Sequence, residues 1–136
     1  MSYNIHLTQS FKQSVKRLGK RYRHVKDDVS KVIESLAHTP TAGALIPGSA
    51  GVRKLRVNNS DMAKGKSSGY RLLYLMSDSP DSKLYLLLLY AKSDQTDVTK
   101  RDLDELIEAL KTETAVTDTQ GDAPSEGSPT ITKTPE

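Results

Sequence analysis

The sequence predicts an α+β domain with a small antiparallel-rich sheet, elements in the order β-α-α-β-β-β-α, an N-terminal helical hairpin packed on the sheet and a C-terminal helix. Three observations carry this. Residues 52–92 hold three strand-like runs, VRKLRV (52–57), GYRLLYLM (69–76) and KLYLLLLYAK (83–92), rich in β-branched, aromatic and leucine side chains and separated by turn-forming segments. Upstream, apolar residues recur every three or four positions, which is helical spacing. The chain has 136 residues, enough for one core and hardly for two.

Taken in order, Tyr3, Ile5 and Leu7 alternate with Asn4, His6 and Thr8, the period of a half-buried strand. From about Gln9, Phe11, Val15, Leu18 and Tyr22 share a helical face, with Lys12, Lys16, Arg17, Lys20 and Arg21 between them. A second helix, from about Arg23 to Ala37, places Val25, Val29, Val32, Ile33 and Leu36 on one stripe, and the short connection folds the two into an antiparallel hairpin. The breaker-rich TPTAGALIPGSAG (39–51) reads as a loop. The run 83–92 is apolar on both sides, with Leu84, Leu86 and Leu88 on one and Tyr85, Leu87 and Leu89 on the other, which predicts an interior strand. Thr99 and Asp102 have capping-box spacing ahead of the stripe Leu103, Leu106, Ile107 and Leu110. Beyond it the composition turns to Thr, Ser, Pro, Gly and Asp, so the expected division is a folded domain over 1–111 and a disordered acidic tail over 112–136.

Composition bounds the function. The net charge of +3 is uneven: the residues from Lys111 onward contain two lysines and five acidic residues, so the first 110 carry 18 cations against 12 anions. A basic domain favours polyanionic partners such as nucleic acid. No apolar run is long enough to span a bilayer, the N-terminus lacks a secretory layout, and the absence of cysteine excludes disulfides and thiolate metal sites. A cytoplasmic location and no membrane partner are expected.

The cations concentrate where the strands lie. Lys54 and Arg56 are two apart on one strand and so point to one face, beside Arg53; Lys64 and Lys66 fall in the connection MAKGKSSG (62–69); Arg71 opens the next strand, and Tyr90 and Lys92 close the last. Cations on an exposed edge strand also occur simply as protection against edge-to-edge pairing. Phosphate-loop, dinucleotide-fingerprint, H-E-x-x-H and cysteine-nucleophile signatures are absent, so no cofactor and no metal site are expected. His6, His24 and His38 fall on the first strand and the hairpin, away from these cations, and are expected to be structural or solvated.

GVRKLRV (51–57), KGKSSGYRLLYLM (64–76) and LYLLLLYAKSDQTDVTKRDLDEL (84–106), in this order and spacing, resemble the RelE/ParE toxin superfamily, in its HigB-like and RelE-like branch of type II toxin–antitoxin modules. The resemblance covers roughly residues 3 to 110. It implies a ribosome-dependent mRNA endonuclease that works without metal, by attack of the ribose 2′-hydroxyl on the adjacent phosphate, with the ribosome, mRNA and a cognate antitoxin as partners. The superfamily also contains gyrase poisons, so the alternative is a non-enzymatic toxin or RNA-binding regulator of the same fold.

Metal-free cleavage needs cations aimed at the charge growing on the phosphorane, together with a base and an acid. The resemblance implies that Arg56, Arg71, Tyr90 and Lys92 form the catalytic set. Arg71 follows a Gly-Tyr pair as in the family, and a guanidinium suits phosphate clamping because it neither gains nor loses a proton near neutrality. Tyr90 and Lys92 match a Y-x-K position, and either could exchange protons, so the general base stays open between them. Arg53, Lys54, Lys64 and Lys66 are the expected RNA-binding cations. The family's GKxGG-type segment here has Ser67 and Ser68 before a single Gly69, one glycine fewer.

Overall fold

The computed structural model describes residues 3–49, 51–61, 69–77, 82–94 and 98–122, with side chains to 114. The elements are β1 (Asn4–Leu7), α1 (Gln9–Gly19), α2 (Val25–His38), β2 (Ala44–Leu45), β3 (Val52–Val57), β4 (Tyr70–Ser77), β5 (Lys83–Ala91) and α3 (Lys100–Asp122). The fold is α+β as expected. The five strands form one sheet in the order β1-β5-β4-β3-β2, antiparallel throughout except for the β1–β5 pair. No helix among the described residues is long and apolar enough to cross a membrane.

The sheet separates two apolar layers. On one face Phe11, Leu18, Val25, Val29 and Leu36 of the hairpin bury against Leu55, Val57, Tyr70, Leu72, Tyr74, Leu84, Leu86 and Leu89. On the other, Leu103 and Leu110 of α3 cover Val52, Leu73, Leu87 and Tyr90. A strand buried on both faces must be interior, and β5 lies between β1 and β4.

The strict alternation expected along β5 fails at one point. Leu73 pairs with Leu88 but Tyr74 pairs with Leu86, which leaves Leu87 as an extra residue. Such a bulge reverses the in-and-out phase of the strand. Leu84, Leu86 and Leu89 therefore all face the hairpin, while Tyr90 turns toward α3. Unbroken alternation would have placed Tyr90 with Leu84 and Leu86.

Side chains from α1 and its cap complete the edge of β5 where β1 ends. Thr8 caps α1 by accepting from the Phe11 amide at 3.2 Å and donates its hydroxyl to the Leu86 carbonyl at 2.8 Å. Six residues on, buried Ser14 accepts from the Leu89 amide at 3.0 Å. The capping box of α3 is present in both directions, at 3.0 Å and 3.1 Å. The helix runs past the expected boundary at residue 111, and Glu113 accepts from the Gln9 amide at 3.0 Å and lies 2.7 Å from His6 Nε2, tying α3 to β1 and the start of α1. Residues 123–136 of the expected tail lie outside the described residues.

The loop 39–51 contains the unforeseen two-residue strand β2, which pairs with β3. It is anchored by Tyr74, whose hydroxyl donates to the Pro40 carbonyl at 2.7 Å and accepts from the Gly43 amide at 2.8 Å. Tyr74→Phe strips both partners at a fully buried position, and we expect a loss of about 2 kcal/mol in urea unfolding.

The segment after β3 is anchored to α2. Buried Asp28 accepts from the Ser60 amide at 3.0 Å and hydroxyl at 3.2 Å, and Asp61 accepts from the His24 amide at 2.8 Å and lies 2.7 Å from His24 Nδ1. The His24 amide, and then its ring, hold the Asp61 carboxyl below its ordinary range. A carboxylate with a depressed folded-state pKa adds stability above its unfolded value and loses it as pH falls through the folded one. Asp61→Asn should therefore lower stability at neutral pH, leave the strongly acid end little changed and so flatten the acid side of the profile, as read by urea midpoints across a pH series.

Candidate functional site

Register brings three of the four expected catalytic residues into one line. Arg56 of β3 lies directly opposite Arg71 of β4, and Arg71 lies directly opposite Tyr90 of β5. Directly opposed residues on antiparallel strands point to the same face. This is the face that carries Val52, Leu73 and Tyr90, so the row lies on the α3 side of the sheet. Tyr90 joins it because of the bulge at Leu87.

The row is graded in exposure. Arg56 is open to solvent, while Arg71 and Tyr90 are only 6% and 5% exposed. The Arg71 guanidinium donates to the Tyr70 carbonyl at 3.1 Å. No carboxylate among the described residues is ion-paired with Arg56 or Arg71. Two like charges set directly across a strand pair destabilise it, and burying one of them adds a desolvation cost. The arrangement works against stability and suits an anion placed between the guanidinium groups.

Lys92 follows the end of β5, where its amide donates to the Gly69 carbonyl at 3.0 Å, so the close of β5 is held against the start of β4. Gly69 has φ +94, and a Cβ on it would stand 2.8 Å from the Val57 carbonyl oxygen, so the chain can make this approach only with glycine. Lys54, half-buried and two residues before Arg56, occupies the same face opposite Leu73.

Arg53 is placed differently. Its Cα partner is Tyr74, on the hairpin face, and its guanidinium donates to the Gly43 carbonyl at 2.7 Å and the Thr41 carbonyl at 3.4 Å. It fastens the loop before β2 and stands apart from the row. Lys64 and Lys66 lie outside the described residues. Of the histidines, His6 meets Glu113, His24 meets Asp61 and His38 is exposed at the end of α2; none joins the row.

Sequence reasoning missed a cleft at the edge of β5. Ser14 and Arg17 of α1, and Arg21 just beyond its end, line it with Leu89, Tyr90, Ala91 and Asp94, and its volume is about 270 Å³. Arg21 grips Asp94 through two hydrogen bonds of 2.7 and 2.8 Å, joining the segment after α1 to the turn that carries Lys92. The cationic spacing of α1 was visible, but the pairing of positions 21 and 94 depends on how α1 lies against β5.

A twisted sheet with a hairpin on one face, a terminal helix on the other and a basic row on its last three strands has the fold of the RelE-like toxins. A chain of the toxin–antitoxin complex RelBE2 from Mycobacterium tuberculosis superposes with a TM-score of 0.51, at 20% sequence identity over 67% of this chain and 99% of that one. An arginine-to-alanine double variant of the Escherichia coli toxin RelE in the free state superposes with a TM-score of 0.49, at 18% identity over 71% of this chain and 90% of that one. At these identities the likeness is one of fold, and it does not single out the HigB-like branch. No protein-family model matches the sequence.

Proposed function

We propose that this protein is the toxin of a toxin–antitoxin module and that it cleaves mRNA on the ribosome. The observation that carries the reading is the cross-strand row Arg56–Arg71–Tyr90, with two guanidinium groups directly across a strand pair and no carboxylate paired with either among the described residues. In the reaction the ribose 2′-hydroxyl gives up its proton and attacks the adjacent phosphorus, and the 5′-oxygen leaves and is protonated, giving a cyclic phosphate end and a 5′-hydroxyl end. Arg56 and Arg71 take the charge that grows on the non-bridging oxygens, a contribution worth more in a partly dry site than in water. Tyr90 and Lys92 exchange the two protons, Lys92 being the more open of the pair. Lys54 grips the flanking backbone, and Lys64 and Lys66 are proposed to do the same. Arg53, the fourth expected RNA-binding cation, lies on the other face with its guanidinium on the Gly43 and Thr41 carbonyls, and the role this placement supports is holding the loop before β2.

The partners on this reading are ribosome-bound mRNA in the cytoplasm and an antitoxin protein. Support for an antitoxin is that one structure of like fold is described as a toxin–antitoxin complex. The deciding experiment is induction in a bacterial host with mapping of 5′ ends on translated messages. Cuts confined to translated codons, carrying 5′-hydroxyl ends, are expected. Growth arrest with intact messages and a DNA-damage response would overturn the reading in favour of a gyrase poison.

A further inference from the structure

The chain leaving β5 carries Lys92 on a tight turn. Lys92 is second of the four residues from Ala91 to Asp94, and the turn closes with the Asp94 amide donating to the Ala91 carbonyl at 2.9 Å. One side of the turn is fixed to the start of β4 by the bond from the Lys92 amide to Gly69. Its far end is fixed by Arg21, whose Nη1 alone donates to both carboxylate oxygens of Asp94. Arg21 is itself firmly seated. Its amide and that of Tyr22 donate to the Leu18 carbonyl at 3.0 and 2.8 Å, which holds this segment on the end of α1, and its guanidinium carbon lies 5.0 Å from the centroid of the Tyr22 ring. Tyr22 is buried and meets the Tyr70 ring edge-on at 5.7 Å. Tyr70 in turn precedes Arg71 and accepts from its guanidinium at the main-chain carbonyl.

We infer that Arg21 and Asp94 are positioning residues for RNA cleavage, acting through Lys92: their ion pair fixes the turn so that the Lys92 ammonium is held at the row. The inference rests on the reading of the row as an RNA-cleaving site. Stability does not account for the pair. The Arg21 and Asp94 side chains are 56% and 40% exposed, and ion pairs so open to solvent add little to folding, because water screens them and both side chains lose freedom. The effect of the pair is local. It ties the turn to a segment 73 residues earlier in the chain, and that same segment abuts Tyr70, so Lys92 and Arg71 are referred to one frame. A proton-exchanging group and a phosphate clamp must keep their separation, since a misplacement of about 1 Å costs up to about 10² in rate. Direct contact with RNA is the other use for a surface arginine. Arg21 already has a carboxylate across it and offers a phosphate only a neutral pair. Arg17, in the same cleft and without an ion pair among the described residues, is the better cation for that task.

The test follows two readouts on the full-length protein, steady-state cleavage of ribosome-bound message and exchange of the Lys92 amide proton by NMR. Arg21→Ala and Asp94→Ala should each lower kcat about tenfold, with KM within about twofold of the wild type. Each should melt within about 4 °C of the wild type and exchange the Lys92 amide about tenfold faster or more. The double variant should be no slower than either single one, because the two side chains act as a unit. Arg21→Lys should recover most of the lost kcat, since one nitrogen makes both bonds, and Arg17→Ala should leave kcat unchanged. Asp94→Asn takes the place of Asp94→Ala should the latter fail to fold by circular dichroism. The inference is overturned if the two losses multiply in the double variant, if Arg21→Ala raises KM and spares kcat, or if the Lys92 amide exchanges as before. A fall of kcat and melting temperature together, not recovered by Arg21→Lys, overturns it too and makes the pair structural. Absence of cleavage by the wild-type protein defeats the proposed function and with it the catalytic half of the inference, whereas faster exchange in the variants would still establish that the pair fixes the turn.

Discussion

Replacing Arg71 by methionine is expected to abolish toxicity and lower cleavage by about 10²- to 10³-fold, while leaving the protein as stable as before or more so. The two halves of this expectation come from one geometry. Arg71 is the central member of the row, with Arg56 directly opposite on one side and Tyr90 on the other, so its guanidinium is the group best placed to meet a phosphorane. Yet it is 6% exposed, and its one hydrogen bond among the described residues runs to the neighbouring carbonyl of Tyr70. Methionine keeps the unbranched stem packed, removes the buried charge and relieves the cross-strand repulsion. Losing the Tyr70 bond offsets part of that gain, and the net change should lie within about 1 kcal/mol of zero or on the stabilising side. Thermal melts of the two proteins, run beside a cleavage assay on ribosome-bound message, separate the cases. If activity and melting temperature fall together, Arg71 is a structural residue and the assignment fails. If activity survives with the fold intact, the row does not do chemistry.

Gly69→Ala should have the largest effect on the backbone around the site. The residue sits at φ +94, where an L side chain is strained, and the added Cβ would stand 2.8 Å from the Val57 carbonyl oxygen, an atom held in the β3–β4 ladder. The cost should be about 3 kcal/mol, read from urea unfolding. Gly48→Ala is the control. It too has positive φ, +72, but its Cβ would meet nothing within 4 Å, so only the conformational penalty of about 1 kcal/mol remains. Gly69 also accepts the Lys92 amide, so the substitution should move Lys92 relative to Arg71 and reduce kcat more than it raises KM. Equal losses for the two glycine variants would show that the approach to Val57 is not tight.

Much of this was legible in the residues because local patterns agreed with the fold. The hairpin stripes, the capping box at Thr99 and Asp102, and the pairing of short turns with apolar runs all depend on neighbours in sequence. What escaped depends on distant partners. Nothing in YNIHLT says that it will lie parallel to β5, since alternation is the same for either direction. Ala44 and Leu45 become a strand only because β3 offers an edge and Tyr74 holds the loop against it. Arg53 resembled its neighbours Lys54 and Arg56 in charge, although alternation sends it to the other face; the carbonyls of Thr41 and Gly43 that claim it are invisible without the loop's path. The four expected catalytic residues rested on a resemblance, and three of them form one cross-strand row through a phase reversal at Leu87 that simple alternation does not reveal.

The register also sets an order of assembly. Strands β3, β4 and β5 are consecutive in the chain and join through two antiparallel pairs, so the basic row can close from nearby segments. The pairing of β1 with β5 is another matter, because contacts such as Thr8 to Leu86 span 78 residues. Closing so long a loop costs entropy before any contact repays it, and non-local pairings of this kind slow folding. On the ribosome, the hairpin and β1 emerge first and must wait for β5 before their apolar faces find cover. The row is therefore formed by segments that meet early, while the layer behind it is completed only when nearly the whole domain has been synthesised.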